Sequence, residues 1–378
     1  MERPRRIVLI LGNGFDLDLG LKTSYKNFWE SKFCPKDYPA PLIYHLNESW
    51  PNSLESVRWY DLENELYYYA KNILSDNTRR DVITKWERDF IEIVKPELIS
   101  FGTYFKYNDL INSLLQKGIL IEDQSNHVYC IPYQKDLLKS SVERDAIALD
   151  LIKTSLCKYL NSIENPSNKN NSISFHVLLS VLNDARAGDL VEIYTFNYTP
   201  VRIHGHKVDE VEVNYMHGNC DVGKVIIGTR DDSSIEKDYS FVQKAFDTSF
   251  YPPHLVKSLH DADDVIIFGH SIGENDRQYF KAFFKQQTNS SYINEKNITI
   301  FTRDHLSEIQ IKIALQNMTD SNLSTLFGQN NIQIIKTKEL NEDKENQKRF
   351  YDFLVQNNTT NRDAIMIIDK LLQCNGAG

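Results

Sequence analysis

Residues 6–21 read Arg6-Ile-Val-Leu-Ile-Leu-Gly12-Asn13-Gly14-Phe15-Asp16-Leu-Asp18-Leu-Gly20-Leu21, and this stretch decides the fold. The aliphatic run from Ile7 to Leu11 stops abruptly at glycine. Such a run reads as a short strand buried on both faces, the kind found in parallel sheets. Gly12 and Gly14 allow a sharp turn and let a ligand approach the backbone with no Cβ in the way. A strand followed by a glycine turn is where nucleotide-binding α/β folds hold a phosphate. The dinucleotide fingerprint would want a third glycine three residues after Gly14. Phe15, Asp16 and Leu17 stand there instead, and the next glycine is Gly20. A plain tight turn therefore stays open as the alternative, to be weighed against the other motifs.

The chain of 378 residues can hold two domains, or one large α/β domain with an insertion. Its 41% hydrophobic content, with 20 Tyr and 19 Phe, is enough to fill a sizeable core. A net charge of -9 gives no global cationic field, which disfavours nucleic acid as a partner. The cysteines, Cys34, Cys130, Cys157, Cys220 and Cys374, are odd in number and scattered, with no C-x-x-C pair. That argues against a disulfide framework and a structural zinc module, and fits a reducing cytoplasm. The basic N-terminus mimics the start of a signal peptide, but the apolar run behind it is too short and is cut by Gly12. No apolar stretch is long enough to span a membrane. The expectation is a soluble, cytoplasmic protein without a membrane partner.

Past the glycine turn, residues 21–29 read as a short helix that Thr23 or Ser24 can cap. A proline-rich loop follows, then helical spacing over 59–74 and 78–94, with further helices expected at 103–117, 143–163 and 173–185. His127 to Tyr133 reads as a strand or turn, and 165–172 as a flexible loop. Strand-like runs then return at 190–196, 211–215, 225–227, 265–268, 298–301 and 332–335. Helical patterns at 234–246, 274–287, 304–318 and 347–357 separate the later ones. Alternating strands and helices imply an α/β fold with a largely parallel sheet covered by helices on both faces. The first strand stands far from its partners in sequence. Residues 1–29 and 186–378 are therefore expected to form one nucleotide-binding domain, with 30–185 a mostly helical insertion.

Three polar clusters follow expected strands, where open α/β sheets bind ligands. In Thr195-Phe-Asn197-Tyr-Thr199, Asn197 offers a donor and an acceptor to a sugar hydroxyl or an ordered water. In Met216-His217-Gly218, a histidine titrating near neutrality suits proton abstraction from a hydroxyl. In Gly269-His270-Ser271-Ile-Gly-Glu-Asn-Asp276, backbone N–H groups and the Ser271 hydroxyl suit a phosphate. Each has a plainer reading: an Asn turn, a structural histidine, and first-turn acids on a helix. Asp61 and Glu63 read as an N-cap and a first-turn charge, or as acids of a lid. His204 and His206 lack an obvious third metal ligand and read as loop. Asp16, Asp18 and Glu63 could form a carboxylate cage for Mg²⁺, a reading that a chain with no basic groove disfavours.

The order of these motifs resembles the sirtuin-type NAD-binding fold, a Rossmann-type sheet. The wording Leu11-Gly-Asn-Gly-Phe-Asp-Leu-Asp-Leu-Gly-Leu-Lys-Thr-Ser-Tyr25, with Trp59-Tyr-Asp-Leu-Glu63, Thr195-Phe-Asn-Tyr-Thr199 and Gly269-His-Ser-Ile-Gly-Glu-Asn-Asp-Arg-Gln-Tyr-Phe280, is similar to the AbiH family. Those are bacterial abortive-infection proteins acting against bacteriophage, and the resemblance spans essentially the whole chain. The family's more distant likeness to sirtuin-type NAD-hydrolysing defence proteins implies a sirtuin-like fold and an effector that hydrolyses NAD to nicotinamide and ADP-ribose, with Asn197 and His217 as catalytic residues. NAD would be held by Gly12, Asn13, Gly14, Phe15, Asp16, Gly20, Thr23, Thr195, Thr199, Gly218, Gly269, His270, Ser271 and Asp276.

The sirtuin pattern has an aspartate two residues after the Asn, where this chain has Thr199; Asp16 or Asp18 could substitute. The zinc cysteines of the deacetylases are missing, so NAD is expected as substrate and no metal as cofactor. Partners under this reading are NAD and a phage-derived activator, with a homo-oligomer left open. The alternative is a non-catalytic NAD or nucleotide sensor in a phage-defence system.

Overall fold

The aliphatic run at the start of the chain becomes the centre of a sheet. A computed structural model describes residues 3–38, 40–56, 61–71, 121–123, 128–130, 141–164, 172–203, 206–208, 211–231, 234–289 and 295–375. The sheet has six strands: β1 (Arg6–Leu11), β2 (Leu190–Thr195), β3 (Glu212–Tyr215), β4 (Asp264–Phe268), β5 (Asn297–Thr302) and β6 (Asn331–Lys336). All neighbours are parallel, and the order across the sheet is β6-β5-β4-β1-β2-β3. This is the strand order of dinucleotide-binding sheets. The chain runs outward from β1 to β3, then crosses back to place β4 on the other side of β1.

Side chains of β1 alternate between two cores, as strand geometry requires. Ile7, Leu9 and Leu11 join one core with α6 (Ile173–Ala187), α11 (Lys344–Gln356) and α12 (Asn361–Asn375). Val8 and Ile10 join the other with α7 (Leu255–Asp261), α8 (Arg277–Gln286), α9 (His305–Met318) and α10 (Leu323–Gln329). A third core gathers α2 (Tyr25–Glu30), α3 (Pro41–Ser56), α4 (Leu62–Lys71) and α5 (Ser141–Asn161) around Cys220, Val225, Ile227, Tyr239 and Val242. Among the described residues no helix is long and apolar enough to cross a membrane.

Some local expectations change. Residues 225–227 add no strand to the sheet; Lys224–Val225 pairs antiparallel with Gly218–Asn219, and Val225 and Ile227 turn into the third core. The expected helix at 234–246 is two short 3₁₀ turns, Lys237–Val242 and Lys244–Phe246. The backbone between them bonds Thr229 instead: Thr229 N–H donates to Val242 O at 2.7 Å and Lys244 N–H to Thr229 O at 3.0 Å. Helix α8 is preceded by a separate 3₁₀ turn, Glu274–Asp276. Ser24 caps α2, and a further short helix, α1 (Asn13–Asp18), fills the expected turn after β1. Val128–Cys130 pairs with Ile121–Asp123. The expected helices at 78–94 and 103–117 and nearly all of the 165–172 loop lie outside the described residues.

The glycine turn after β1 lies backbone to backbone on the turn after β4. Gly12 N–H donates to Phe268 O and Gly14 N–H to Gly269 O, both at 2.9 Å. A Cβ on Gly12 would stand 2.5 Å from His270 Cα, and one on Gly14 2.6 Å from Gly269 Cα. Gly269 has φ +63°, the left-handed region that glycine adopts freely. What demands glycine at 12 and 14 is thus the chain itself, whether or not a ligand approaches. Gly14→Ala should lower stability by about 1–3 kcal/mol, the usual cost of overpacking. Gly328→Ala, in α10 with no atom within 4 Å of the added carbon, should be neutral or raise it by up to about 1 kcal/mol. Urea midpoints of both variants check the pair.

Candidate functional site

The expected site residues all lie at the C-terminal edge of the sheet, but the structure divides them into two groups with the glycine seam between. The first group lines an open cleft over β1 and β2. Phe15, Asp16, Thr23, Thr195, Asn197 and Thr199 contribute to its wall, and its free volume is about 110 Å³. Asn197 is 7% exposed and held firmly: its N–H donates to Thr195 Oγ1 at 3.1 Å, and Nδ2 donates to Gly12 O at 3.0 Å. Its side-chain oxygen is left over for the cleft. Thr199 Oγ1 donates to Asp16 Oδ2 at 2.5 Å, so a carboxylate touches the residue two beyond Asn197. Thr23 Oγ1 donates to Asn13 Oδ1 at 2.6 Å and fixes the turn from the side. Gly20, with φ +84°, closes the loop after α1. Asp18 is occupied elsewhere: its Oδ2 accepts from Ser174 N–H at 2.7 Å, in the first turn of α6.

The second group is buried on the opposite face, where the His217 and His270 rings pack on Phe196. At its centre is Lys244, 1% exposed. Its ammonium lies 3.0 Å from Glu63 Oε2, 3.2 Å from Asp276 Oδ1 and 3.1 Å from His217 Nε2. Asp276 also lies 3.3 Å from His217 Nε2 and, through Oδ2, 3.3 Å from His270 Nε2. His270 Nδ1 accepts from Ile272 N–H at 2.9 Å. The Tyr25 and Tyr198 hydroxyls meet at 3.0 Å nearby. Asp61 caps α4 by accepting from Asn64 N–H at 3.1 Å, which matches the N-cap reading. Gly218, at φ +83°, turns the chain just after His217. Ser271 is exposed, and Gly269 belongs to the seam.

Burial and neighbouring charges act on these groups in opposite directions. Burial first, then the Lys244 charge, pushes His217 down to about 4, so its imidazole is neutral at pH 7. Burial pushes Glu63 up to about 7 against the pull of Lys244. Burial would raise Asp276, but Lys244 and then His217 hold it well below the usual carboxylate range. For Lys244, burial is overcome by Asp276 and Glu63, and its pKa is raised. Lys244 was not legible in sequence, being one lysine in a run expected to be helical. Among the described residues, no group of three or more His, Cys, Asp and Glu is arranged to hold a metal ion.

Removing Lys244 would leave two buried carboxylates facing each other. Lys244→Met should cost about 3–5 kcal/mol, measured by denaturant unfolding. The cluster also fixes a pH dependence. Between about pH 4 and 6.5 the unfolded chain holds a proton on His217 that the folded chain lacks, so acidification lowers stability. Between 4.5 and about 7 the folded chain holds a proton on Glu63 that the unfolded chain has released, so alkalinisation lowers it. The two slopes oppose each other in the wild type. Glu63→Gln should unmask the histidine slope, up to about 1.4 kcal/mol per pH unit, in urea titrations from pH 4.5 to 6.5.

A six-stranded parallel sheet in doubly wound order, flanked by helices, defines an α/β protein. The family model for Bacteriophage abortive infection AbiH matches residues 8–302, from β1 to the end of β5, and the chain belongs to that family. No curated protein and no solved structure matches it.

Proposed function

We propose that this AbiH protein is an abortive-infection effector that hydrolyses NAD at the cleft over β1 and β2. One observation carries the reading: Asp16, Thr195, Asn197 and Thr199 converge on one cleft at the edge where such sheets bind nucleotides. The more distant likeness to sirtuin-type NAD-hydrolysing proteins supports it. In the reaction the bond from ribose C1′ to the pyridinium nitrogen breaks, and its electron pair stays on nicotinamide. The leaving group departs neutral, so the acid that a glycosidase supplies is not required. Water adds to C1′ and gives up one proton. Asn197, with its amide nitrogen fixed on Gly12 O, presents its oxygen to a ribose hydroxyl or to that water. Asp16, beside it through Thr199, is the base that takes the proton.

This assignment moves the base away from His217. That imidazole is 3% exposed, lies outside the cleft lining, and has Nε2 engaged with Lys244. Its part is in the ion cluster that fixes the edge. Purified protein incubated with NAD, with and without phage lysate, should release nicotinamide. Asp16→Asn and Asn197→Ala should each cut the rate by roughly 10² to 10⁴-fold, the worth of a positioned catalytic group. A wild type that binds NAD but releases no nicotinamide in either condition would make the cleft a sensor.

A further inference from the structure

The turns expected to cradle a phosphate have few donors to give. The N–H groups of Gly12, Gly14, Phe15 and Gly269 donate to Phe268 O, Gly269 O, Gly12 O and Phe301 O, at 2.9 to 3.0 Å. Ile272 N–H is taken by His270. Those five N–H groups are therefore not offered to a ligand's phosphate, for which a charged side chain is the stronger donor. Among the described residues the cleft lining contains one cationic side chain, Arg202, beside the acids Asp16 and Asp221.

Arg202 is under-used as it stands. Its Nη2 alone serves both oxygens of Asp221, at 2.8 and 3.0 Å, and its buried Nε has no hydrogen-bond partner. Asp221 thus leaves the side-on fork of Nε and Nη2 half filled, although that fork is the strong way for guanidinium to hold an oxyanion. A buried donor without a partner carries a desolvation cost that a better-placed acceptor removes. A phosphate spans the fork and can take Nε and Nη2 together. Size agrees with this. About 110 Å³ is well below the roughly 300–1,000 Å³ of pockets that enclose a drug-sized ligand, so any nucleotide extends beyond the cleft at its mouth. The wall is also divided, with Asp16, Thr195, Asn197 and Thr199 polar and Phe15, Leu19, Leu160 and Ile163 apolar. That suits one sugar with one ring.

We propose that a single ribonucleotide half enters the cleft and that Arg202, displacing Asp221, holds its 5′-phosphate at the mouth. The ligand class is then a ribonucleoside 5′-phosphate, free or as one half of a dinucleotide, and a bare nucleoside is discriminated against. The inference rests on the cleft as the ligand site and deepens that reading. Arg202 is a specificity-determining residue and takes no part in bond cleavage.

The test compares NAD, nicotinamide mononucleotide and nicotinamide riboside. Wild type should favour the mononucleotide over the riboside by about 10- to 100-fold in kcat/KM, the worth of a charge-assisted contact. Arg202→Ala should bring that ratio close to one. Asp221→Asn, which frees the guanidinium, should lower KM for the mononucleotide, and this variant decides the matter if Arg202→Ala fails to fold. An unchanged ratio in folded Arg202→Ala, an unchanged KM in Asp221→Asn, or a wild type indifferent to the phosphate would overturn the assignment. If no substrate releases nicotinamide, hydrolysis falls, and the same ratio is read from equilibrium dialysis. Phosphate-dependent binding lost in Arg202→Ala then keeps Arg202 in place. Failure of the mononucleotide and the riboside alike to bind removes it together with the cleft.

Discussion

The contact between the turn at Gly12–Gly14 and the turn at Gly269–His270 leaves no room for a Cβ at Gly12, Gly14 or Gly269. Its position explains its importance. It lies between β1 and β4, where the strand order reverses and where a doubly wound sheet otherwise leaves a crevice. Closing that crevice with backbone moves the open space to the β1–β2 side. There Asn197 reaches back to Gly12 O and so takes its orientation from the same seam. The charged cluster stands on the other side of the seam, with His270 part of both.

Lys244 is the second constraint. A buried ammonium is tolerated only when its donors and its charge are answered, and here two carboxylates and an imidazole answer them. The groups come from far apart in the chain: Glu63 from α4, His217 from beyond β3, and Asp276 from the turn before α8. One ammonium therefore ties a helix that the chain forms between β1 and β2 to two loops of the sheet edge. The cluster and the cleft share no side chain, yet the chain that carries Asn197 also carries Phe196, the floor under both histidines.

Much of this architecture is legible in the sequence, because burial on two faces leaves an unmistakable mark. The strands centred on Val8, Ile193, Ile266, Ile300 and Ile334 stand out as aliphatic runs ending in small or polar residues. The motifs after them do lie together at one edge. What local pattern cannot carry is pairing across long separations. Whether His217 faces the cleft or Lys244 depends on the Thr229 backbone breaking the helix expected at 234–246. Gly12 and Gly14 look alike in sequence whether the neighbour is a phosphate or the chain at Gly269. Arg202 carries no motif at all; only the cleft geometry separates it from any other surface arginine.

The central place of β1 also bears on synthesis. Its apolar side chains leave the ribosome well before those of its partners, β2, beginning at Leu190, and β4, beginning at Asp264. At the usual pace of translation the strand waits roughly ten seconds or more for the nearer of them. Through that interval an aliphatic segment with both edges unpaired is exposed to self-association, so the nascent chain depends on a chaperone or on transient cover from the helices made in between. A chain released before Asp264 has neither the glycine seam nor the ion cluster. The edge therefore assembles only after the chain has been made through Asp276.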